Sequence, residues 1–295
     1  MAEPASDTMA ARSLPPKILP ANAPAAGAAR SGAHGSRAIP ARWRALAGDP
    51  RVIGWGFLFA LLALWEVAVR VGEISPLYLP RPSGIVTVLV QQIAYHGLSS
   101  DIGITLYRIF AGFFIALITG TLLGVWMATS KTVKAMADIL IAALYPLPKI
   151  TLIPLLVIWL GTGGPFMLTI SFLGAFFPIV INTVVGVLQC DPGLVLAARD
   201  LGANARQIVT RVLIPSAVPA IFAGIRIGLG VSIILVVAAE MVVAKDGLGA
   251  RLFIAGQLLE TEIVFAVLLV LALLGIAITK GQDAIDARLS LWRVN

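Results

Sequence analysis

Cysteine and histidine are almost missing from this sequence. Its single cysteine, Cys190, excludes an intramolecular disulfide and any multi-cysteine metal centre. The two histidines, His34 and His96, lie far apart and offer no spacing for a metal cluster. Charge is scarce as well, at 13% of residues, where soluble domains carry about 25%. No lysine follows a glycine, so the Gly-Lys pair of a phosphate-binding loop is absent. There is no Gly-x-Ser-Gly sequence, and neither histidine falls in a long apolar run. A serine–histidine pair of a six-span membrane protease is thereby excluded. No catalytic residue, metal or cofactor is expected.

What the chain has instead is apolar length. Hydrophobic residues make up 59% of its 295 residues, and mean hydropathy is +0.95. Such a chain cannot hide its side chains in one soluble core, which places it in the membrane class. Runs near the ~20 residues that cross ~30 Å of hydrocarbon occur at about 52–71, 104–129, 137–160, 165–188, 216–244 and 262–280. Helices are the structure to expect there, because an open strand edge is unsatisfied in lipid. The third run contains Pro146, Pro148 and Pro154 and should be kinked. The expectation is an all-α membrane protein of six transmembrane helices. Residues 1–51, rich in Ala, Pro, Ser and Arg without apolar period, read as a disordered cytoplasmic tail with no removable signal peptide. Residues 52–71 then form the first transmembrane anchor helix.

The net charge of +7 is explained by topology rather than by nucleic acid. Arg12, Lys17, Arg30, Arg37, Arg42, Arg44 and Arg51 lie in the tail. Lys131 and Lys134, then Arg199, Arg206 and Arg211, then Lys280, Arg288 and Arg293 fall in alternate connections on the same side. The opposite segments hold mainly Arg70, Arg81, Lys245 and Arg251. The heavier side should be cytoplasmic, with both termini inside. Small residues recur four apart at Gly120 and Gly124 and at Gly224 and Gly228, a spacing that lets helices approach closely.

Between the fourth and fifth runs lies a polar island. Asp191 can cap a helix and Pro192 suits its first position. Leu194, Ala198, Leu201, Ala205, Ile208 and Val212 then fall three or four apart, giving one apolar face. Arg199, Asp200, Arg206 and Gln207 are left for the other faces. Gly202 reads as a mid-helix glycine, which costs about 1 kcal/mol relative to Ala and suggests a bend or a close contact. Pro215 marks the turn into the next span. Pattern alone leaves room for an amphipathic helix lying on the lipid surface.

The full spacing resembles a known family. Leu196-Ala197-Ala198, three residues, Gly202, nine residues, Val212, one residue, then Ile214-Pro215 is similar to the cytoplasmic coupling loop of ATP-binding-cassette importer permeases. That pattern begins Glu-Ala-Ala, and Leu196 replaces its carboxylate, with Asp200 one turn away. The resemblance extends over about residues 75–292 through Leu79-Pro80-Arg81-Pro82-Ser83, Pro146-Leu147-Pro148, Trp159-Leu160-Gly161, Gly174-Ala175-Phe176-Phe177-Pro178, Gly224 to Gly230, and Ala239-Glu240 with Gly247-Leu248-Gly249. These are similar to the nitrate, sulfonate, taurine and bicarbonate branch. The resemblance implies a type I importer transmembrane domain over 72–295, in the inner membrane, with the coupling loop at 191–212. It also implies cytoplasmic ABC ATPase subunits that burn the ATP, a periplasmic or lipid-anchored substrate-binding protein, and a second permease copy as homodimer. Leu196, Ala197, Ala198, Arg199, Asp200, Gly202, Arg206, Val212 and Pro215 would carry ATPase coupling.

Three charges lie within or beside the spans: Lys149, Arg226 and Glu240. Charges there tend to face an interior or an aqueous cavity, which makes them candidates for the pathway. Lys149 either faces the pore and favours an anion, or snorkels or pairs with an acid such as Glu240. Arg226 should sit near the cytoplasmic end of the fifth span. The competing reading is an ion-coupled secondary transporter, which would need several buried acids near the midplane.

Overall fold

Helices are the only regular structure among the residues that a computed structural model describes, 50–289. The tail expected at 1–51 lies outside the described residues, apart from Pro50 and Arg51, which open α1. In chain order the helices are α1 (Pro50–Val71), α2 (Pro82–Tyr95), α3 (Leu98–Thr129), α4 (Lys131–Leu144), α5 (Ile153–Leu160), α6 (Gly164–Leu188), α7 (Pro192–Asp200), α8 (Ala205–Val243), α9 (Leu248–Gln257) and α10 (Thr261–Leu289). Residues 56–295 form one compact unit, and the packing below is that of this unit.

Five of these helices are long and apolar enough to cross a membrane: α1, α3, α6, α8 and α10. The third expected run is a bent pair of segments, apolar enough together to make a sixth span or a re-entrant loop. α4 and the segment Lys149–Leu160 meet at 88°, where the sequence suggested one kinked helix over 137–160. Pro146 and Pro148 carry no amide hydrogen, so the helix stops before them. A single 3₁₀ turn, Lys149–Leu152, then leads into α5. Two short helices, α2 and α9, lie between the expected runs, and neither is long enough to cross a membrane.

The core is a three-helix stack with α6 in the middle. α3 runs parallel to it, since Gly112 meets Ser171, Gly120 meets Ile179 and Gly124 meets Thr183. α8 runs antiparallel, since Gly224 meets Asn182, Gly228 meets Ala175 and Ser232 meets Gly174. Lipid chains are as apolar as leucine, so close backbone contact and hydrogen bonds must hold such helices together. The glycines provide the contact. Ser171 Oγ donates to Ile109 O at 2.6 Å and Ser232 Oγ donates to Ser171 O at 2.7 Å, stitching α3, α6 and α8 in one line. Phe166, Met167, Ile170, Ile179, Ile109 and Val236 fill the remaining space and are essentially fully buried.

α2 stands at the far end from α7 and begins with no side-chain cap of its own. Glu66 of α1 supplies one, accepting from Ser83 N at 3.1 Å and from Ser83 Oγ at 2.9 Å. A carboxylate at a helix N-terminus meets both the free amides and the positive end of the dipole.

Candidate functional site

The polar island does not form one continuous helix. α7 starts with Asp191 accepting from Gly193 N at 2.7 Å and ends at a left-handed glycine, Gly202 (φ +81°). Gly202 N donates to Arg199 O at 2.8 Å, and Ala203 N donates to Ala198 O at 3.0 Å. This pair of bonds is a Schellman stop, which places glycine just past the helix end. Asn204 then caps α8: its side chain accepts from Gln207 N at 2.9 Å, and Gln207 Oε1 accepts from Asn204 N at 2.8 Å. The mid-helix place expected for Gly202 is therefore corrected. The apolar spacing carries across the break and hides it.

Pro215 is corrected too. It makes no turn, but lies within α8, whose turn Val209–Leu213 is a π-helix. A proline inside a helix removes one i→i−4 bond, and a π-turn beside it lets the backbone absorb the loss.

The coupling candidates separate by position. Leu196, Ala197, Arg199, Asp200 and Gly202 are exposed on α7 and its stop, and Arg206 is exposed on the first turn of α8. Ala198, Val212 and Pro215 are half-buried. Leu194, Leu196 and Leu201 are 54%, 57% and 89% exposed, so the leucines of this elbow do not pack inside the chain. Arg199, Asp200 and Arg206 form no ion pair among the described residues. The arrangement is a short, independently capped helix that offers apolar and charged groups outward.

The three intramembrane charges are not brought together. Lys149 Nζ donates to Tyr145 O at 2.8 Å, the carbonyl freed where α4 breaks. It lies 5.0 Å and 5.3 Å from the ring centres of Tyr145 and Phe177. It lines a cavity of about 350 Å³ with Pro148, Gly174, Pro178 and Leu235. Pairing of Lys149 with Glu240 is not found. Arg226 forms an ion pair with Asp283 of α10. Glu240 is wholly buried and accepts from Arg108 Nη1 at 2.8 Å, from Gly249 N at 2.9 Å and from Thr105 Oγ1 at 3.0 Å.

Sequence reasoning missed Arg108 and Asp101. Arg108 stands inside the second run and was the one signal available, a lone cation in an apolar helix. Asp101 lies in the first turn of α3, before the expected start at 104. It accepts from Arg251 Nε at 2.5 Å and from Gly247 N at 2.9 Å.

Comparison with known proteins agrees with this architecture. The taurine transport system permease protein TauC of Escherichia coli (strain K12) is 32% identical over 256 residues, covering 85% of this chain and 93% of TauC. SsuC of the same strain, provisionally named as an aliphatic sulfonates transport permease protein, is 33% identical over 76% of this chain and 86% of its own. The fold matches that of the MetNI methionine ABC transporter in inward-facing form, with TM-score 0.56 and 22% identity over 65% of this chain and 95% of that one. Residues 120–291 match the family described as the binding-protein-dependent transport system inner membrane component. The chain belongs to that family, as a multi-pass ABC transporter permease of the inner membrane.

Proposed function

We propose that this permease imports a small anion of the sulfonate class, delivered by an external binding protein and driven by ATPase subunits that dock on α7. The single observation that carries the docking is the capped elbow at 191–204. Its leucines are turned outward, and its shape is fixed by bonds of its own. A helix that must fit a groove on a partner gains from being formed in advance, because less conformational freedom is lost on binding.

Both termini and α7 face the cytoplasm in this reading. Lys131, Lys134, Arg199, Arg206 and Arg211 gather at the α7 end, as cytoplasmic basic residues do. The permease works as a homodimer with two ATPase subunits, and the chain itself hydrolyses nothing. ATP binding draws the two elbows together, and the bundle shifts between two arrangements that the partners bind unequally. The sulfonate class is supported by the names of TauC and SsuC and by the Lys149 ammonium at the cavity wall. Leu196 takes the place of a carboxylate, so Asp200 faces the ATPase in its stead.

The test is reconstitution of the permease with its ATPase and binding protein. ATP-dependent taurine uptake is expected. Ala198→Glu and Gly202→Glu should each abolish uptake and co-purification of the ATPase. Normal uptake in both variants would remove the docking surface from the reading, and uptake that survives without ATP but fails with an uncoupler would replace it with ion coupling.

A further inference from the structure

We infer that the hairpin joining α8 to α10, residues 244–260, is a rigid lever, and that the Arg108–Asp246 contact positions it to pass binding-protein docking on to α8; this rests on the importer reading above.

The hairpin is held by an unusual N-terminus. The first amides of a helix lack partners within it. Those of α9 are satisfied from other elements: Gly247 N donates to Asp101 Oδ1, Leu248 N to Thr105 Oγ1 and Gly249 N to Glu240 Oε2, each at 2.9 Å. Two carboxylates thus lie at the positive end of α9. Gly247 has φ +98°, and an added Cβ there would fall 2.6 Å from Glu240 Cδ. At Gly249 it would fall 2.7 Å from Glu240 Cβ. The backbone of α9 rests directly on the α8 carboxylate.

Two arginines close the arrangement. Arg251 of α9 reaches Asp101 on α3, Gln92 on α2 at 2.7 Å and His96 O at 2.8 Å. Arg108 of α3 holds the end of α8 and the turn beyond it. Its Nη1 donates to Glu240 Oε1 and to Asp246 O at 2.9 Å, and its Nη2 donates to Asp246 Oδ1 at 2.5 Å.

The two arms of Arg108 differ in surroundings. Glu240 is fully buried, while the Asp246 side chain is 54% exposed. An exposed ion pair contributes little to stability. Yet Asp246 is gripped by both its side chain and its carbonyl, which fixes the angle at which 244–247 leaves α8. Beyond it lies a cavity of about 510 Å³, lined among others by Lys245, Asp246, His96 and Glu260. Lys245 and Glu260 make no ion pair among the described residues, so this face offers one unmatched charge of each sign to a partner. Load applied there reaches α8 through 244–247, at the angle that Arg108 sets by holding Asp246, and through Glu240 beneath α9.

Asp246→Ala, Asp246→Asn and Asp246→Glu in the full transporter test the positioning. ATPase rate is read with and without a cognate binding protein loaded with taurine, along with melting temperature. The ratio of the two rates should fall about fivefold or more in the Ala and Asn variants, the size of an ordinary coupling between sites. It should recover in the Glu variant, with melting temperature and unstimulated rate unchanged in all three. An undiminished ratio in Asp246→Ala overturns the inference, as does a lowered melting temperature or loss of assembly, which would make the contact merely structural. A wild-type complex without stimulation overturns the sulfonate importer reading itself.

Discussion

Arg108 and Glu240 stand 132 positions apart in the chain and meet at 2.8 Å between α3 and α8. Their pairing joins the two helices that flank α6, at the end of the bundle opposite α7. Glu240 has no solvent access, and the Arg108 side chain is 16% exposed. Removing one partner of such a pair leaves the other charge buried without compensation. Glu240→Ala should therefore destabilise the permease by about 3–5 kcal/mol. Replacing both residues with Met should recover more than half of that loss, since apolar groups of similar volume carry no desolvation penalty. Thermal unfolding in detergent measures both. A double variant as unstable as the single one would show that the other Glu240 bonds, to Thr105 and Gly249, carry the effect.

The glycines under α9 make a sharper test of geometry. At Gly249 an added methyl would run into the Val237 carbonyl, which is backbone and cannot step aside. At Gly247 it would meet Glu240 in a backbone conformation that side chains avoid. Gly247→Ala and Gly249→Ala should each cost on the order of 1–3 kcal/mol. Gly230 is the control: it lies within α8 with nothing within 4 Å of the added carbon. Gly230→Ala should be neutral or stabilise by up to about 1 kcal/mol. Equal melting temperatures for all three variants would remove the claim that α9 rests on Glu240.

Much of this molecule is legible in its sequence. The apolar runs announce the crossings, and the paired glycines announce α3 and α8 as close-packing helices. Three features are not legible, each for a physical reason. α2 and α9 are 14 and 10 residues long, too short to read as crossings. The stop at Gly202 is masked because Leu201, Ala205 and Ile208 keep a helical spacing across a turn that is not helical. The partner of Glu240 is hidden because Arg108 and Lys149 are each a lone cation in an apolar run of the sequence, and only the packing of α3 against α8 decides between them.

Gly202 separates the role of shape from the role of contact. Its added carbon would meet nothing, yet its φ of +81° strains every residue with a side chain. Gly202→Ala should cost about 1 kcal/mol, and Gly202→Asn less, because asparagine tolerates the left-handed region best. Retention of the ATPase during purification should follow the same order: glycine, then asparagine, then alanine. If asparagine and alanine retain it equally well, the Schellman stop does not set the docking geometry.

Lys149 carries the last prediction, and its chemistry decides what the cavity accepts. Its ammonium already has one carbonyl, Tyr145 O, and two aromatic faces. An ammonium has three donors, so one bond to Tyr145 leaves capacity for a substrate oxygen. A sulfonate entering the 350 Å³ cavity would take up that capacity and would also meet a positive charge in surroundings of low dielectric. Lys149→Gln keeps a donor and most of the length but removes the charge. It should lower the initial rate of taurine uptake about tenfold, equivalent to about 1.4 kcal/mol. Lys149→Arg should retain most of the rate, and ATPase co-purification should be unchanged in both, since Lys149 lies far from α7 in the chain and on a different helix. Uptake rates that ignore the charge in both variants would leave Lys149 as a cap on the broken end of α4, with selection for an anion made elsewhere.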